Sequence, residues 1–410
     1  MAEMKDSGVA WINTIPKEWE IKKIKYILKN RNENNNPIRS RNILSLTAKQ
    51  GVVPHEEKEG GGNKPKEDYS AYKLAYPNDI VMNSMNVLSG SVGLSKYFGC
   101  VSPVYYMLSP INEKDDVRYY NYIFQTTVFQ RSLLGLGNGI LMKESDNGKL
   151  NTIRMRIPLD KLGNLLIPVP DNSIQRKIAD YLDSIIPNID MLLSDIEKQI
   201  ATLEEYKKSI IIETVTKGLD SDVEMKDSGI EWIGKIPSHW KLSKVKYHVK
   251  IENGTDPKKD GDIPVYGSGA DSFKTCGEYK IGPTVLLGRK GATLHIPHYI
   301  EGKYWNVDTA FNVIVDNSIN LLFFYYLACC FDYKYYISQT TLPGMTQTNY
   351  GNMYIPLPKM EEQNKINEYL KTKCLEIENA IEGKKKQLET LEQYKKSLIY
   401  EYVTGKKEVK

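Results

Sequence analysis

The sequence has few cysteines, and their spacing indicates no structural site. Only five occur in 410 residues, and none forms a C-x-x-C pair. Neither a disulfide framework nor a zinc ribbon is therefore predicted. His295 and His298 lie close together but lack the glutamate of a metalloprotease motif. The sequence thus predicts no metal site.

Long apolar segments are also missing. The longest, Ile319–Phe331, is too short to cross a bilayer, and the polar start MAEMKDSG is unlike a signal peptide. We therefore expect a cytoplasmic protein. With 41% hydrophobic and 26% charged residues the composition is that of a globular protein, and its length favours two domains or one duplicated domain. The net charge of +4 permits a nucleic-acid partner without requiring one.

Motifs for methyl transfer and nucleotide hydrolysis are absent. Without any Pro-Pro pair, the chain lacks the Asn/Asp-Pro-Pro-aromatic loop of an adenine methyltransferase, and no Gly-Lys pair precedes Ser or Thr as in a P-loop. The GLGNG stretch from Gly135 begins like a dinucleotide fingerprint, but no glycine stands at the position that the fingerprint requires for its third glycine. We interpret the chain as non-catalytic. A cryptic nuclease site at Asp271 and Glu278, with Lys280, is the enzymatic alternative.

The chain repeats itself. Met4–Asn30 matches Met225–Ile251, 221 positions later, with 14 identities in 27 positions. The stretch IPVPDNSIQRKIADYLD from Ile167 recurs 188 positions later as IPLPKMEEQNKINEYLK, and the stretch LEEYKKSIIIETVT from Leu203 recurs at that offset with 10 of 14 residues identical. Two tandem copies of one unit are indicated, each with a Trp-Ile-Pro-Trp segment, a long middle and a helix.

The two middles, Glu20–Leu166 and Lys241–Tyr354, have become unlike while the ends stayed alike. This pattern favours one scaffold that presents two different readers. The alternative is that the middles are loops that drift freely. Strand and turn signals in both middles favour folded domains.

The helical segments have the heptad pattern of a coiled coil. A helix this long needs a second long helix to bury its apolar stripe, so we expect the two copies to pair, antiparallel. Two ordinary amphipathic helices on separate domains are the alternative. The predicted pairing residues are Ile178, Leu182, Ile185, Ile189, Leu192, Ile196, Leu203, Ile210, Ile366, Leu370, Ile377, Leu391 and Leu398.

Several residues interrupt these seams. Pro187 is expected to kink the first helix or divide it. Lys373 and Lys384 weaken the second. Polar residues recur at equivalent seam positions, where they could fix the register; they are Gln199, Tyr206, Gln387 and Tyr394.

Polar and cationic residues at turns of the middles are candidates for DNA contact, because amides, hydroxyls and cations bind base edges and phosphates. For each residue alone, an ordinary surface role is at least as good an explanation. The first-middle candidates are Asn83, Ser84, Asn86, Ser89, Ser91, Lys96, Lys143, Arg154 and Arg156. The second-middle candidates are Arg289, Lys290, Thr293, Gln347, Thr348 and Asn349.

The order of Trp-Ile-Pro segment, variable domain, IPVP/IPLP-Q-x-K-I-x-x-Y-L helix start and LExYKKSII helix end, occurring twice, resembles the specificity subunit of type I restriction-modification systems. Within the middles, YPNDIVMNSMNVLSGSVG with GCVSPVYY, and GRKGA with NVDTAF and QTNYGNM, resemble two recognition-domain subtypes. The resemblance covers nearly the whole chain.

The resemblance implies an α/β (α+β) fold in which two target-recognition domains with mixed β-sheets are joined by two long antiparallel coiled-coil helices, with a pseudo-two-fold internal repeat. The expected domains are residues 1–170 and 218–358 for recognition, with helices at 171–217 and 359–404. Double-stranded DNA and two methyltransferase subunits are the implied partners, with two restriction/translocase subunits as a further possibility. S-adenosylmethionine, ATP and magnesium would belong to those partners, and this chain would hold no cofactor.

Two other functions stay open from the residues alone. One is a stand-alone DNA-binding repressor without a methyltransferase partner. The other is a coiled-coil adaptor whose middles bind protein.

Overall fold

The computed structural model divides the chain into two compact units. The first unit is Met1–Asp195 with Leu388–Lys410, and the second is Ile196–Gln387. The residues that the structure describes are 3–48, 50–60, 65–85, 90–139, 143–144, 150–151, 155–269, 271–333, 336–337 and 343–409.

Two long helices and five short ones lie in the described part of the chain. In chain order they are α1 (Val117–Gln125), α2 (Thr127–Ser132), α3 (Leu159–Gly163), α4 (Asn172–Lys217), α5 (Leu321–Ala328), α6 (Gln347–Asn352) and α7 (Met360–Val403). Helices α4 and α7 each contribute a part to each unit, with residues 172–195 and 388–403 in the first and 196–217 and 360–387 in the second. None of the described helices combines the length and apolarity needed to cross a membrane.

The first unit contains short strands arranged in several small sheets. The strands are Met4–Asp6, Thr14–Pro16, Glu20–Lys23, Leu28–Asn30, Leu44–Thr47, Gly51–Pro54, Lys73–Ala75, Ile80–Asn83, Val92–Leu94, Gly99–Val101, Tyr105–Pro110, Asn138–Gly139, Lys143–Glu144, Leu150–Asn151, Met155–Arg156 and Leu166–Val169. Single 3₁₀ turns occur at Ile24–Tyr26, His55–Glu57 and Tyr69–Ala71.

The second unit has the same kind of organisation. Its strands are Met225–Asp227, Lys235–Pro237, Lys241–Lys244, Val249–Asn253, Ile263–Tyr266, Lys274–Cys276, Lys280–Ile281, Thr284–Gly288, His298–Ile300, Lys303–Asn306, Ala310–Val315 and Tyr354–Leu357, with a 3₁₀ turn at Val245–Tyr247.

Both units contain a four-stranded antiparallel sheet of the same topology, although the sequences of the two middles differ. In the first unit the order is 28–30, 105–110, 80–83, 92–94. In the second it is 249–253, 310–315, 284–288, 298–300. The second unit adds a sheet with one parallel pair, in which Val265 is opposite Trp305. The middles are therefore variants of one architecture, and the interpretation of them as drifting loops is wrong.

The two long helices pack antiparallel within each unit. In the first unit the rings of Tyr181 and Tyr402 lie 4.5 Å apart, and Lys395 forms an ion pair with Asp190. In the second unit Lys207 pairs with Glu378. The two ion pairs occupy equivalent positions of the repeat. Lys395 lies 188 residues after Lys207, and Glu378 lies 188 residues after Asp190. The predicted fold class is confirmed: a mixed α/β fold with small sheets and a paired set of long helices.

The buried stripe of α4 differs from the predicted seam in one of its two rows. The row with Leu182 and Ile189 is buried as expected. The second row passes through Ile186 and Leu193, whereas Leu192 is 51% exposed. The prediction that Leu192 lies in the seam is wrong. Pairs of adjacent apolar residues explain the error. Either residue of such a pair fits the heptad pattern, and packing against the partner helix decides which of the two is buried.

The same one-residue shift moves the predicted polar layers. Tyr206 and Tyr394 are 55% and 50% exposed, and Gln199 and Gln387 are exposed as well. Their assignment to the seam is also wrong. Among the other pairing candidates, Ile178, Ile366, Leu370, Ile377 and Leu398 are buried, and Ile185, Ile196, Leu203, Ile210 and Leu391 are half-buried.

Helix α4 continues through Pro187. Of the two expected effects, division of the helix at this residue is wrong, and the kink stays a prediction. The Asn188 side-chain amide donates to the Ser184 carbonyl at 2.9 Å, and Pro187 itself is exposed. Its ring thus lies on the solvent face, where the loss of one amide is tolerated better than it would be in the packed seam.

The start and the end of the chain share the core of the first unit. The hydroxyl of Tyr400 donates to the carbonyls of Trp11 and Ile12 at 3.2 and 3.1 Å, and the Lys406 ammonium donates to that of Ile12 at 2.6 Å. In the second unit the end of α4 contacts the other Trp segment, since a Cβ on Gly218 would lie 3.1 Å from the Trp240 ring. Each Trp segment is therefore held by the end of a long helix.

Candidate nucleic-acid interface

In the second unit, a tight turn follows strand 284–288 and presents Arg289 and Lys290. A Cβ on Gly288 would lie 2.3 Å from Leu294 Cα, so only glycine fits there. The Tyr350 hydroxyl from α6 donates to the Gly288 carbonyl at 2.7 Å. This buried hydrogen bond holds α6 against the turn.

A second loop completes the cluster. The Met345 amide donates to the Arg289 carbonyl at 2.8 Å, the Gly291 amide donates to the Pro343 carbonyl at 3.1 Å, and Lys290 forms an isolated β-bridge with Gly344. The chain then enters α6. The structure thus brings the two cations next to the helix that carries the amide and hydroxyl candidates Gln347, Thr348 and Asn349.

Local contacts restrain the two cations differently. The Arg289 Nη1 donates to the Asp308 carbonyl at 3.2 Å, and its guanidinium lies 5.8 Å from the Phe311 ring centroid. The Lys290 ammonium lies 3.8 Å from the Asp308 carboxylate. Both side chains stay partly exposed, at 34% and 44%. Arg289 is therefore the more restrained of the two cations, and the Asp308 carboxylate offsets part of their positive charge.

The remaining candidates in this unit differ in whether a ligand could reach them. The Asn349 side-chain amide donates to the Tyr336 carbonyl at 2.7 Å and so supports the fold. Gln347 and Thr348 are exposed, and Gln347 makes only a 3.5 Å contact with Asn253. Thr293 is half-buried in the turn. Arg289, Lys290, Gln347 and Thr348 are the groups that a ligand could reach.

In the first unit a smaller group of candidates lies at one end of strand 80–83. The Asn83 amide donates to the Ser91 carbonyl at 3.0 Å, and the Ile157 amide donates to the Ser84 carbonyl at 2.9 Å, which places Arg156 beside this end. Burial lowers the pKa of the nearby Lys73 ammonium, and the positive charge of Arg156 lowers it further. Asn83 and Ser91 are half-buried, and Arg156 is exposed.

Two first-unit candidates do not join that group. Ser84 is fully buried, and its hydroxyl donates to the Val104 carbonyl at 2.9 Å, so no ligand reaches it. Lys96 is exposed but follows Leu94, which pairs with Ile80 at the opposite end of the strand. Asn86, Ser89 and Arg154 lie outside the described residues, as does the side chain of Lys143.

Two residues of the alternative nuclease site, Glu278 and Lys280, have structural partners. Burial raises the pKa of Glu278, but hydrogen bonds from the Lys258 and Lys259 amides at 2.9 and 3.0 Å outweigh it, so that this pKa is lowered overall. The Lys280 ammonium donates to Asn306 Oδ1 at 2.7 Å. Across the described ranges, no cluster of His, Cys, Asp and Glu is arranged to hold a metal ion.

One surface feature was not predicted from the sequence. Tyr26 and Tyr247 occupy the same repeat position, and each is 65% exposed. The 27-residue match shows that the two tyrosines are identical, and the structure adds that they are exposed. Core packing does not explain identity at exposed positions.

Comparison with known proteins finds a similar domain family for part of the chain. A sequence model of the type I restriction modification DNA specificity domain matches residues 237–393. The matched segment runs from the second Trp segment into the second long helix, and the first copy is its internal repeat. Over residues 237–393 the chain is similar to the type I restriction modification DNA specificity domain.

Two curated proteins from Methanocaldococcus jannaschii align with this chain. The type I restriction enzyme MjaVIII specificity subunit is 28% identical over 279 residues, which is 60% of this chain and 63% of that protein. The putative type I restriction enzyme MjaX specificity subunit is 27% identical over 273 residues, which is 61% of each. The alignments thus span about three fifths of the length of these relatives.

A solved structure shares the fold. It comes from work described as the structural basis of complex assembly and conformational transition of the type I R-M system. Its chain has a TM-score of 0.71 at 12% identity, with 95% of this chain and 99% of that chain covered. At this identity the likeness shows a shared fold, and only that, over nearly the whole chain.

Proposed function

We propose that this chain is the DNA-recognition subunit of a type I restriction-modification complex. It reads a bipartite target, one half-site with each unit, and docks the subunits that carry out the chemistry. One observation carries the proposal: two copies keep the same ends and the same four-stranded sheet, while the polar loops on those sheets differ. A duplicated scaffold with two different reading surfaces fits a target with two different halves.

The proposed DNA contacts are the reachable groups at the ends of the sheets. Arg289 is suited to bidentate contact with guanine, and Gln347 to contact with adenine. Lys290 and Arg156 suit phosphates. In the first unit Asn83 and Ser91 are the corresponding polar groups. Residues 1–170 and 218–358 would form the two recognition domains, and 171–217 and 359–404 the spacer helices.

The solvent-facing side of the long helices supports docking of two copies of one partner. Residues 198, 202, 206, 209 and 213 follow one face of α4 at helical spacing. At the equivalent positions of α7 the same five residue types recur: Lys, Thr, Tyr, Ser and Glu. The exposed tyrosines Tyr206 and Tyr394 fit an interface, where tyrosine is enriched.

The partners in this proposal are two methyltransferase subunits, with restriction subunits as a possible addition. They would supply S-adenosylmethionine, ATP and magnesium. This chain's own part would be to bind and orient the duplex, without a catalytic residue. A purified chain that cut DNA with magnesium, and lost this activity on Glu278→Gln, would contradict the assignment.

Exchange of one middle tests the two-reader proposal. Replacing residues 20–166 with the corresponding segment of another specificity subunit should change one half of the methylated sequence and leave the other half as it was. The physical reason is that each unit has its own core and its own loops. Mapping of modified bases in cells that express the chimera gives the answer. A change in both halves would argue against separate readers.

Lengthening of the helices tests whether they set the distance between the half-sites. Seven residues inserted after Gln199 and seven after Gln387 keep the heptad phase in both antiparallel partners. A heptad adds about 10 Å of helix, and DNA rises about 3.4 Å per base pair, so the tolerated spacer should grow by about three base pairs. Base-modification mapping measures it. A matched control inserts the seven residues in the loop after Asp220, where no change is expected.

Simple experiments distinguish the two alternative functions from the proposed one. A stand-alone repressor would bind its DNA site but would not co-purify with a methyltransferase. A coiled-coil adaptor would show weak salt dependence in any DNA association, because it would release few counterions from phosphates.

A further inference from the structure

The 3₁₀ turn at the start of each middle is built in the same way in both units. In the first unit the Ile24 amide donates to the Leu165 carbonyl at 2.9 Å, and in the second the Val245 amide donates to the Met353 carbonyl at 3.0 Å. Ile24 and Val245 are buried beneath their turns. Each turn is therefore fixed to the short stretch that precedes a long helix.

A small helix packs against each turn, and a glycine of that helix lies at the contact. A Cβ on Gly163 of α3 would lie 3.2 Å from the Lys25 Cβ, and a Cβ on Gly351 of α6 would lie 3.2 Å from the Lys246 Cβ. In the second unit this same helix, α6, carries Gln347 and Thr348. The Lys-Tyr turn thus lies directly against an element of the candidate DNA interface.

Two side chains project to solvent from each turn. The Lys25 ammonium lies 5.4 Å from the Tyr26 ring centroid, and the Lys246 ammonium lies 5.4 Å from the Tyr247 centroid. Both tyrosines are 65% exposed. Within the described residues neither lysine forms an ion pair. The same exposed geometry therefore occurs twice.

Stability does not explain why these pairs are alike. A tyrosine that is two-thirds exposed buries little apolar area, and surface substitutions usually change stability by no more than about 0.5 kcal/mol. Nearby positions did change between the copies: Ile27 corresponds to His248, and Ile21 to Leu242. The Lys-Tyr pair, like the neighbouring Lys23 and Lys29 (Lys244 and Lys250), was retained while the apolar positions around it changed. Retention of exposed polar residues points to a ligand common to both units.

The chemistry of the pair favours phosphate over protein. An ammonium and a phenolic hydroxyl are both donors that contact DNA phosphates, whereas lysine is depleted at protein interfaces. Phosphates are the same at every half-site, whatever the bases. A phosphate contact is therefore the kind of contact that stays constant while the reading loops change.

Resting on the proposed DNA-recognition function, we propose that Lys25 with Tyr26, and Lys246 with Tyr247, are two equivalent phosphate-backbone clamps. Each holds its unit on the duplex without regard to sequence. Each also sets the register from which the loops of that unit reach the base edges. The clamps supply affinity, and the variable loops supply specificity.

The test measures binding of the full chain to a fluorescein-labelled duplex of random sequence, and to one that carries the target site, over a series of KCl concentrations. In the variant Lys25→Gln/Lys246→Gln, two phosphate contacts are lost. The slope of log K against log [KCl] should become shallower by about two, and the Kd at 0.1 M salt should rise by about tenfold or more. Target and random DNA should be affected equally, so their affinity ratio should not change.

A matched variant separates local contact from net charge. Lys371→Gln/Lys385→Gln removes the same charge from exposed positions of α7, and we expect its slope to equal that of the unaltered chain. Tyr26→Phe/Tyr247→Phe should weaken binding to both duplexes, through the lost hydroxyl donors, with little effect on the slope.

Other results would overturn the proposal. An unchanged slope and Kd in Lys25→Gln/Lys246→Gln would remove the clamps and leave the DNA-recognition function standing. If that result came with loss of co-purified methyltransferase, the Lys-Tyr pairs would belong to a protein interface. If the unaltered chain bound neither duplex at any salt concentration, the proposed function itself would fail, and the clamps with it.

Discussion

A chain that ends at Ser397 should lose the folded first unit while its second unit still unfolds cooperatively. The missing segment places Leu398, Ile399, Tyr402 and Val403 in the core of the first unit, and all four are buried. Burial of one large apolar side chain contributes about 2 kcal/mol. The loss of four, roughly 8 kcal/mol, is comparable to the stability of an entire domain, about 5–15 kcal/mol.

Hydrogen bonds reinforce this expectation. The buried Tyr119 hydroxyl donates to the Val403 carbonyl at 2.9 Å, so truncation would leave it with one fewer acceptor. Hydrogen exchange measured by mass spectrometry should show loss of protection in strand Ile80–Asn83 and retained protection in strand Thr284–Gly288. Tyr394→Ala serves as the control, because that side chain is exposed and its removal should leave both units protected. Full protection of strand 80–83 in the truncated chain would contradict the shared core.

The second large effect is expected at the helix seam. Leu182→Ala should destabilise the first unit by about 2–5 kcal/mol, because Leu182 is fully buried and its truncation leaves a cavity. Leu192→Ala on the same helix should change stability by no more than about 0.5 kcal/mol, since Leu192 is 51% exposed. Equilibrium urea unfolding, followed by hydrogen exchange in the first unit, compares the two variants.

The heptad pattern by itself assigned these two leucines the same role. Equal costs for the two substitutions would restore the predicted seam and contradict the observed one. A cost confined to Leu182→Ala would establish the shifted row. The neighbouring Leu193→Ala should then also be destabilising, although less so, because Leu193 is only partly buried.

The candidate interface shows which predictions depend on distant parts of the chain. Arg289 and Gln347 were selected from separate glycine-bounded stretches, and the hydrogen bonds of Met345 and Tyr350 bring those stretches together. Ser84 was selected by the same reasoning as Asn83, its neighbour. Its burial could not be read from a turn signal, because burial depends on which side chains cover the turn.

Some features were legible without coordinates. Repetition of Trp, Pro and heptad positions requires no contact information, since it is a property of the chain compared with itself. It predicted the duplicated units and the long paired helices, and the repeated motifs resemble those of type I specificity subunits. The identity of the two Lys-Tyr pairs is also visible in the sequence. Only their exposure, which the sequence does not state, separates them from identical core residues such as Ile15 and Ile236.

The amino-acid sequence alone determined that this protein is a doubled unit with long amphipathic helices and no recognisable catalytic motif, because these properties reside in local pattern and repetition. Tertiary structure decided which member of each apolar doublet is buried, which loops meet, and that the end of the chain completes the core around its beginning. Those outcomes depend on contacts between residues far apart in sequence, and burial is set by the surface that packs against a residue.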